Sequence, residues 1–257
     1  MCDDTTCCPP CVNNPVSFTA IGGVDLRYHN GARYTCIHTT DTTPTATTAF
    51  KNRADNWVNR LEAESSLHGG SGYSTLQWIG HIGFATCDTT SCHAAGRAMD
   101  MTKLVWNGNV CEPCARDHAG TRTTKRRYLA VDATLRMYFK WVLDGWYNAI
   151  HDNHIHASNH FTNLDNVVLD RAASSDTFFV QAVCNNFNGA GLTVDGSWGS
   201  KTEAAWDNIN NTWGWEPAKC GSPFQSHAAY EKWLHRVVYA GFSDVGASGV
   251  PTGLDGC

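Results

Sequence analysis

Three histidines fall within six residues, in the run Ile150-His151-Asp152-Asn153-His154-Ile155-His156. Imidazole titrates near neutrality, and its neutral form is a common metal ligand. Side chains alternate along an extended segment, so His154 and His156 share one face there. Two imidazoles converging on that face can bind a metal or share proton chemistry. His151 joins them only if the strand begins after it. Asp152 has the same parity as His154 and His156 and competes as a general base. A His-x-His pair alone is more often incidental than a metal site, so its meaning depends on partners elsewhere.

Such partners stand roughly sixty residues upstream, in Ser91-Cys92-His93-Ala94-Ala95-Gly96-Arg97-Ala98-Met99-Asp100. His93 and Asp100 with His156 make two imidazoles and a carboxylate, a set that zinc accepts with a fourth position open for water. Gly96 allows the chain to turn between His93 and Asp100. His154 then faces the same cavity without having to bind the metal, placed to hydrogen-bond charge that develops there.

Several elements must position these groups. Apolar residues at helical spacing (Ala54, Trp57, Val58, Leu61) predict a helix over 50–67, closed by Gly69-Gly70. Residues 74–86 predict a strand with close backbone approach at Gly80 and Gly83, and 98–106 a second strand. The threonine-rich stretch 38–49 is either a linker or a lead into the first helix. Apolar residues three and four apart from Leu129 to Trp146 predict a long helix over 128–150, followed by a strand over 153–157. Composition shifts near 165–175, after which helices are expected over 178–187, 201–209 and 227–239. The expected class is α+β: a small antiparallel sheet with flanking helices that binds zinc, plus a three-helix module. The division runs 1–171, with a Cys-rich arm over 1–16, and 172–257.

Composition narrows the function classes. With 42% hydrophobic and only 17% charged residues, the chain can bury a core and is not globally disordered. A net charge of -5 gives no electrostatic reason to expect nucleic acid or an anionic membrane as partner. No apolar run approaches the ~18 residues of a transmembrane helix. Lys125-Arg126-Arg127 reads as a solvated surface run. Twelve cysteines, an even number spread along the chain, fit an oxidised, secreted protein. Cys111-Glu-Pro-Cys114 and the cluster Cys2, Cys7, Cys8 and Cys11 are alternative zinc sites, but disulfides are the favoured reading. The chain opens with no charged leader and apolar stretch, so a secreted protein whose signal has been removed is expected. A monomer is expected.

The two histidine segments together resemble the zinc D-alanyl-D-alanine carboxypeptidase superfamily, whose fold is shared with the Hedgehog signalling domain. Its signature, Ser-x-His-x-x-Gly-x-Ala-x-Asp followed by His-x-His, is matched by Ser91, His93, Gly96, Ala98, Asp100, His154 and His156. The additional His151 is similar to a bacterial peptidase branch with three histidines in this segment. The resemblance spans roughly residues 50–160. It implies zinc ligands His93, Asp100 and His156, with His151 and His154 in acid/base and charge-stabilising roles. Members that act on a free C-terminal carboxylate usually carry an arginine on the strand before the first motif, where this chain has Ala85. Arg97, Arg33 or His81 would have to substitute, with Ser91 and Arg97 as the substrate-binding candidates. An endopeptidase that cuts peptide cross-links is therefore an open alternative.

Leu192-Thr-Val-Asp-Gly-Ser-Trp-Gly199, leading into Thr202-Glu-Ala-Ala-Trp206, resembles the peptidoglycan-binding repeat domain. That implies a bacterial wall ligand, with Trp198 plugging a three-helix core and Thr202 near a helix start. The combined expectation is a secreted zinc peptidase of peptidoglycan stem peptides or cross-links, cutting at a D-alanyl bond. The rivals are a non-catalytic, zinc-containing wall-binding or signalling protein, and a peptidase of other substrates.

Overall fold

A computed structural model describes residues 15–40, 43–85, 91–159 and 167–257. Most of the expected Cys-rich arm, with Cys2, Cys7, Cys8 and Cys11, lies outside the described residues. Short strands come first: β1 (Val16–Ser17), β2 (Ala20–Ile21), β3 (Val24–His29), β4 (His38–Thr39) and β5 (Thr45–Ala46). Helix α1 (Thr48–Gly69) follows, and the Thr47 hydroxyl caps it by accepting the Phe50 N–H at 3.2 Å. The threonine-rich stretch is thus a lead into a helix. α1 buries Phe50, Ala54, Trp57, Val58 and Leu61, the stripe that the apolar spacing predicts.

Beyond α1 come β6 (Leu76–Gly83), β7 (Ala98–Trp106), β8 (Val110–Cys111), α2 (Arg122–Arg136), β9 (Trp141–Leu143) and β10 (Ile155–Ser158). The main sheet runs β2-β3-β6-β7-β10-β9, with β4 added to β3 and β8 to β7. The expected small antiparallel sheet is corrected here to a mixed one, eight-stranded among the described residues, in which β3 and β6 are parallel. The cause is α1, because a helical crossover returns the chain in its original direction. The class is mixed helix and strand.

The long helix expected over 128–150 is also corrected. α2 ends at Arg136, and the chain folds back to lay β9 beside β10. Arg136 holds this reversal, donating to the Val142 carbonyl at 3.0 Å while pairing with Asp132 and Asp176 at 2.8 Å each. The aromatic and β-branched run around Trp141-Val142 suits an edge strand.

Helices α3 (Ser174–Asn188), α4 (Ser200–Thr212), α5 (Pro217–Cys220) and α6 (His227–Phe242) complete the chain. A single hydrophobic cluster extends from Ile21 on the sheet to Trp233 and Val250 among these helices. The basic run of α2 is not simply solvated. Arg126 donates to the Asn186 carbonyl at 3.2 Å and pairs with Asp244, while Arg127 donates to the Val110 carbonyl.

A buried Gln181 explains the glycine turn after α3. Its Oε1 accepts the N–H groups of Asp195 and Gly196, each at 3.0 Å, and its Nε2 donates to the Thr202 hydroxyl at 3.1 Å. Trp198 packs at the edge of this core rather than plugging it, half-buried against Trp206 and Phe224.

Cys36 and Cys114 form a disulfide, which removes Cys114 from any Cys111–Cys114 zinc pair. Cys111, Cys184, Cys220 and Cys257 are buried thiols. No helix among the described residues is long and apolar enough to cross a membrane.

Candidate metal centre

The register of the sheet creates the site. His156 on β10 lies directly opposite Asp100 on β7, and directly opposed residues of antiparallel strands are near neighbours on the same face. His156 Nδ1 is 2.8 Å from Asp100 Oδ1.

His93 arrives from the loop before β7. Gly96 turns that loop with φ +63°, its N–H donating to the His93 carbonyl at 2.9 Å, while Thr47 N–H holds the Gly96 carbonyl. His93 Nε2 then sits 3.2 Å from Asp100 Oδ2 and 3.2 Å from His156 Nδ1. Its Nδ1 donates to the Phe84 carbonyl at 2.5 Å. This is the backbone contact that fixes the ring of a metal-binding histidine and leaves its other nitrogen basic.

Gly83 on β6 completes the cradle. A methyl group there would lie 3.3 Å from Asp100 Oδ2, so only glycine leaves the carboxylate unhindered.

These three side chains form a group able to hold a metal ion. Tetrahedral bonds of about 2.0–2.2 Å place donor atoms ~3.3–3.6 Å apart. Two of the separations, 3.2 Å each, lie close to that range and the third, 2.8 Å, falls short of it, while two imidazoles and a carboxylate are a donor set that zinc accepts.

Burial pushes the Asp100 carboxyl up, but the facing His156 and His93 rings outweigh it and hold the group well below the usual carboxylate range. Asp100 is therefore an anion poised for a cation.

His154 and His151 stand beside the cluster. β10 begins at Ile155, so both precede the regular strand and strand parity does not govern His151. The His151 ring lies 5.1 Å from that of His154 and 6.0 Å from that of His156. His154 Nε2 is 3.7 Å from Asp100 Oδ1. Burial lowers the His154 pKa, and His156, His93 and Arg33 add to that against the pull of Asp100. Burial thus favours the neutral form of His154.

Two asparagines that sequence reasoning missed orient these rings. Asn153 Oδ1 faces His154 Nδ1 at 3.0 Å, and Asn148 Oδ1 faces His151 Nδ1 at 2.8 Å. An amide oxygen only accepts, so each Nδ1 carries the proton and each Nε2 is the basic nitrogen. An asparagine preceding each histidine was the available signal.

Asp152 takes a different place from the one strand parity suggests. It lies in the turn before β10 and pairs with Arg33 at 2.9 Å, while the Tyr34 hydroxyl donates to it at 2.9 Å. Burial raises its pKa, yet the hydrogen bonds from Tyr34 and Arg33 together outweigh it and hold it low, which makes Asp152 a weak base. Arg33 also donates to the Ala149 carbonyl, so its loop is docked on the histidine turn. Ser91 and Arg97 are half-buried at the two ends of the His93 loop, and the Arg97 carbonyl receives the Asn159 N–H at 3.1 Å. The Ala85 N–H donates to the Thr45 carbonyl at 2.9 Å.

No protein-family model, curated protein or solved structure matches the chain significantly.

Proposed function

We propose that the chain is a secreted zinc peptidase that cleaves peptidoglycan stem peptides or cross-links at a D-alanyl bond. The observation that carries this reading is the convergence of His93 Nε2, the Asp100 carboxylate and His156 Nδ1 beside two histidines whose Nε2 atoms are basic. The resemblance of the two histidine motifs to the zinc D-alanyl-D-alanine carboxypeptidase superfamily supports the substrate class.

Bound zinc supplies Lewis acidity, polarising a carbonyl and bringing the pKa of water toward ~7. The chain's residues do the rest. His154 Nε2, nearest the ligands, takes a proton from water and returns it to the leaving amine. Asn153 keeps the ring in the tautomer that permits this. His151, half-buried behind it, stabilises charge beside the leaving group. Ser91 and Arg97 are the substrate contacts in this reading.

An internal bond is favoured over a terminal one. Alanine stands at 85, and the Arg33 guanidinium is committed to Asp152, so of the arginines considered only Arg97 remains to supply the bidentate partner that a terminal carboxylate wants. The C-terminal helices would anchor the enzyme on the wall. A cleft lined by Trp206, Asn210, Trp215, Pro223 and Phe224 offers aromatic faces and an amide, a combination suited to small polar ligands.

The test is digestion of purified sacculi, with muropeptides read by mass spectrometry in zinc and in chelator. Zinc-dependent cleavage of cross-links, lost in His93→Ala, is the expected result. Wall binding without peptide release under any condition would sink the reading in favour of the non-catalytic rival.

A further inference from the structure

Glu64 and His68 stand one helical turn apart on α1, and His235 reaches them from α6. Glu64 Oε2 lies 3.1 Å from His68 Nε2 and 2.9 Å from His235 Nε2, and the two imidazole nitrogens are 3.2 Å apart. This triangle has nearly the size of one face of a tetrahedral site with bonds of about 2.0–2.2 Å. None of the three residues belongs to the His93 centre.

The other Glu64 oxygen and the distal His235 nitrogen are engaged in ways that aim these two donors inward. Arg60 Nε holds the other Glu64 oxygen at 2.6 Å, and the Arg60 charge is shared by Glu231 at 3.5 Å. Asp255 oxygens face His235 Nδ1 at 2.7 and 2.8 Å. A carboxylate behind the distal nitrogen is the arrangement that orients and strengthens metal-binding imidazoles. The Tyr239 ring packs on His68 with centroids 4.9 Å apart, and the three side chains are each no more than 12% exposed. Imidazole protons bridge these atoms when no metal is bound, and the same inward-facing nitrogens and carboxylate oxygen can exchange those protons for a single ion. One divalent ion satisfies all three.

We infer that Glu64, His68 and His235 form a second metal site, for a divalent first-row ion of the zinc type, which ties α1 to α6, with Asp255 orienting His235. The chemistry of the set, two imidazoles and one carboxylate, suits zinc and disfavours calcium or magnesium. The site joins the helix that crosses over the sheet to the last long helix of the chain, so metal binding there adds to folding stability. It is a structural clasp, independent of the peptidase reading.

The test uses the full chain with His93→Ala and Asp100→Ala together, which removes the first centre and leaves the second to be read alone. Zinc is titrated against a competing chromophoric chelator, and Tm is followed with and without zinc. The expected result is one equivalent bound and a zinc-dependent rise in Tm. Adding His68→Ala or Glu64→Gln abolishes both, and Asp255→Asn weakens binding by about 10–100-fold. The Glu64→Gln and Asp255→Asn variants keep side-chain volume, so they remain informative if His68→Ala does not fold. The inference is overturned if the doubly substituted chain takes up no zinc, or if uptake survives Glu64→Gln and His68→Ala undiminished.

Discussion

Asp100 and His156 occupy opposed positions on neighbouring antiparallel strands, and 2.8 Å separates Asp100 Oδ1 from His156 Nδ1. Two ligands of the candidate centre are therefore set by backbone register, on rigid elements. Only His93 depends on a loop, and that loop is fixed at Gly96 and through the Phe84 carbonyl. Ligands held this way on strands and a pinned loop keep their geometry.

His154→Ala should lower kcat by about 10²–10⁴-fold and leave zinc content at the His93 centre unchanged. Asn153→Ala should produce a smaller loss of the same kind, because only the tautomer preference is relaxed. Steady-state kinetics with metal analysis on the same samples checks both. A His154→Ala enzyme of full activity would remove this histidine from the chemistry.

Gly83→Ala should weaken zinc binding while leaving the fold intact. The added methyl group lies 3.3 Å from Asp100 Oδ2 and 3.7 Å from His93 Cε1. Relieving that crowding costs ~1 kcal/mol, about fivefold in affinity. Competition against a chelator measures it, and unchanged affinity would show that the carboxylate is not confined by β6.

Cys36→Ser should destabilise the chain by roughly 2–4 kcal/mol, the usual effect of losing a native crosslink. The Cys36–Cys114 bond spans 78 residues and pins the loop whose Arg33 and Tyr34 hold Asp152. Urea unfolding of oxidised wild type and variant gives the difference. Equal midpoints would mean that the loop is held without the disulfide.

Much of this frame was legible in the sequence because period and spacing reported it. The stripe Ala54, Trp57, Val58 and Leu61 predicted α1, and β7 spans the 98–106 expected of it. The Gly96 turn and the approach at Gly83 also followed from residue type. The continuation of α2 to 150 did not hold, because Phe139, Val142 and Leu143 satisfy helical spacing and strand burial equally. A buried Arg136 bound to the Val142 carbonyl decides between them through contacts no local pattern carries. The parallel β3–β6 pairing is likewise a property of where a crossover helix returns the chain. Asp152 misled for a related reason. Parity applies inside a strand, and the strand begins three residues later.

Stability should fall on the acid side of pH 6.5, in part because of His118. Burial lowers its pKa to about 4 from 6.5, and its ring packs against Tyr128 and Trp146 with centroids 5.9 and 5.5 Å away. The folded state binds this proton less readily than the unfolded state. Stability is therefore full above 6.5 and is lost as pH falls toward 4. The loss should be of order 2–3 kcal/mol at 1.36 kcal/mol per pKa unit. His118→Phe should flatten this acid limb in urea unfolding curves between pH 7 and 4, and an unchanged slope would assign it to other groups.

The central claim is that His93, Asp100 and His156 hold zinc together. Anomalous scattering at the zinc edge, from crystals of the zinc-loaded chain, tests it most directly. The account predicts a peak bonded to His93 Nε2, His156 Nδ1 and an Asp100 oxygen at about 2.0–2.2 Å. A zinc-loaded crystal with no peak among these three residues would contradict it.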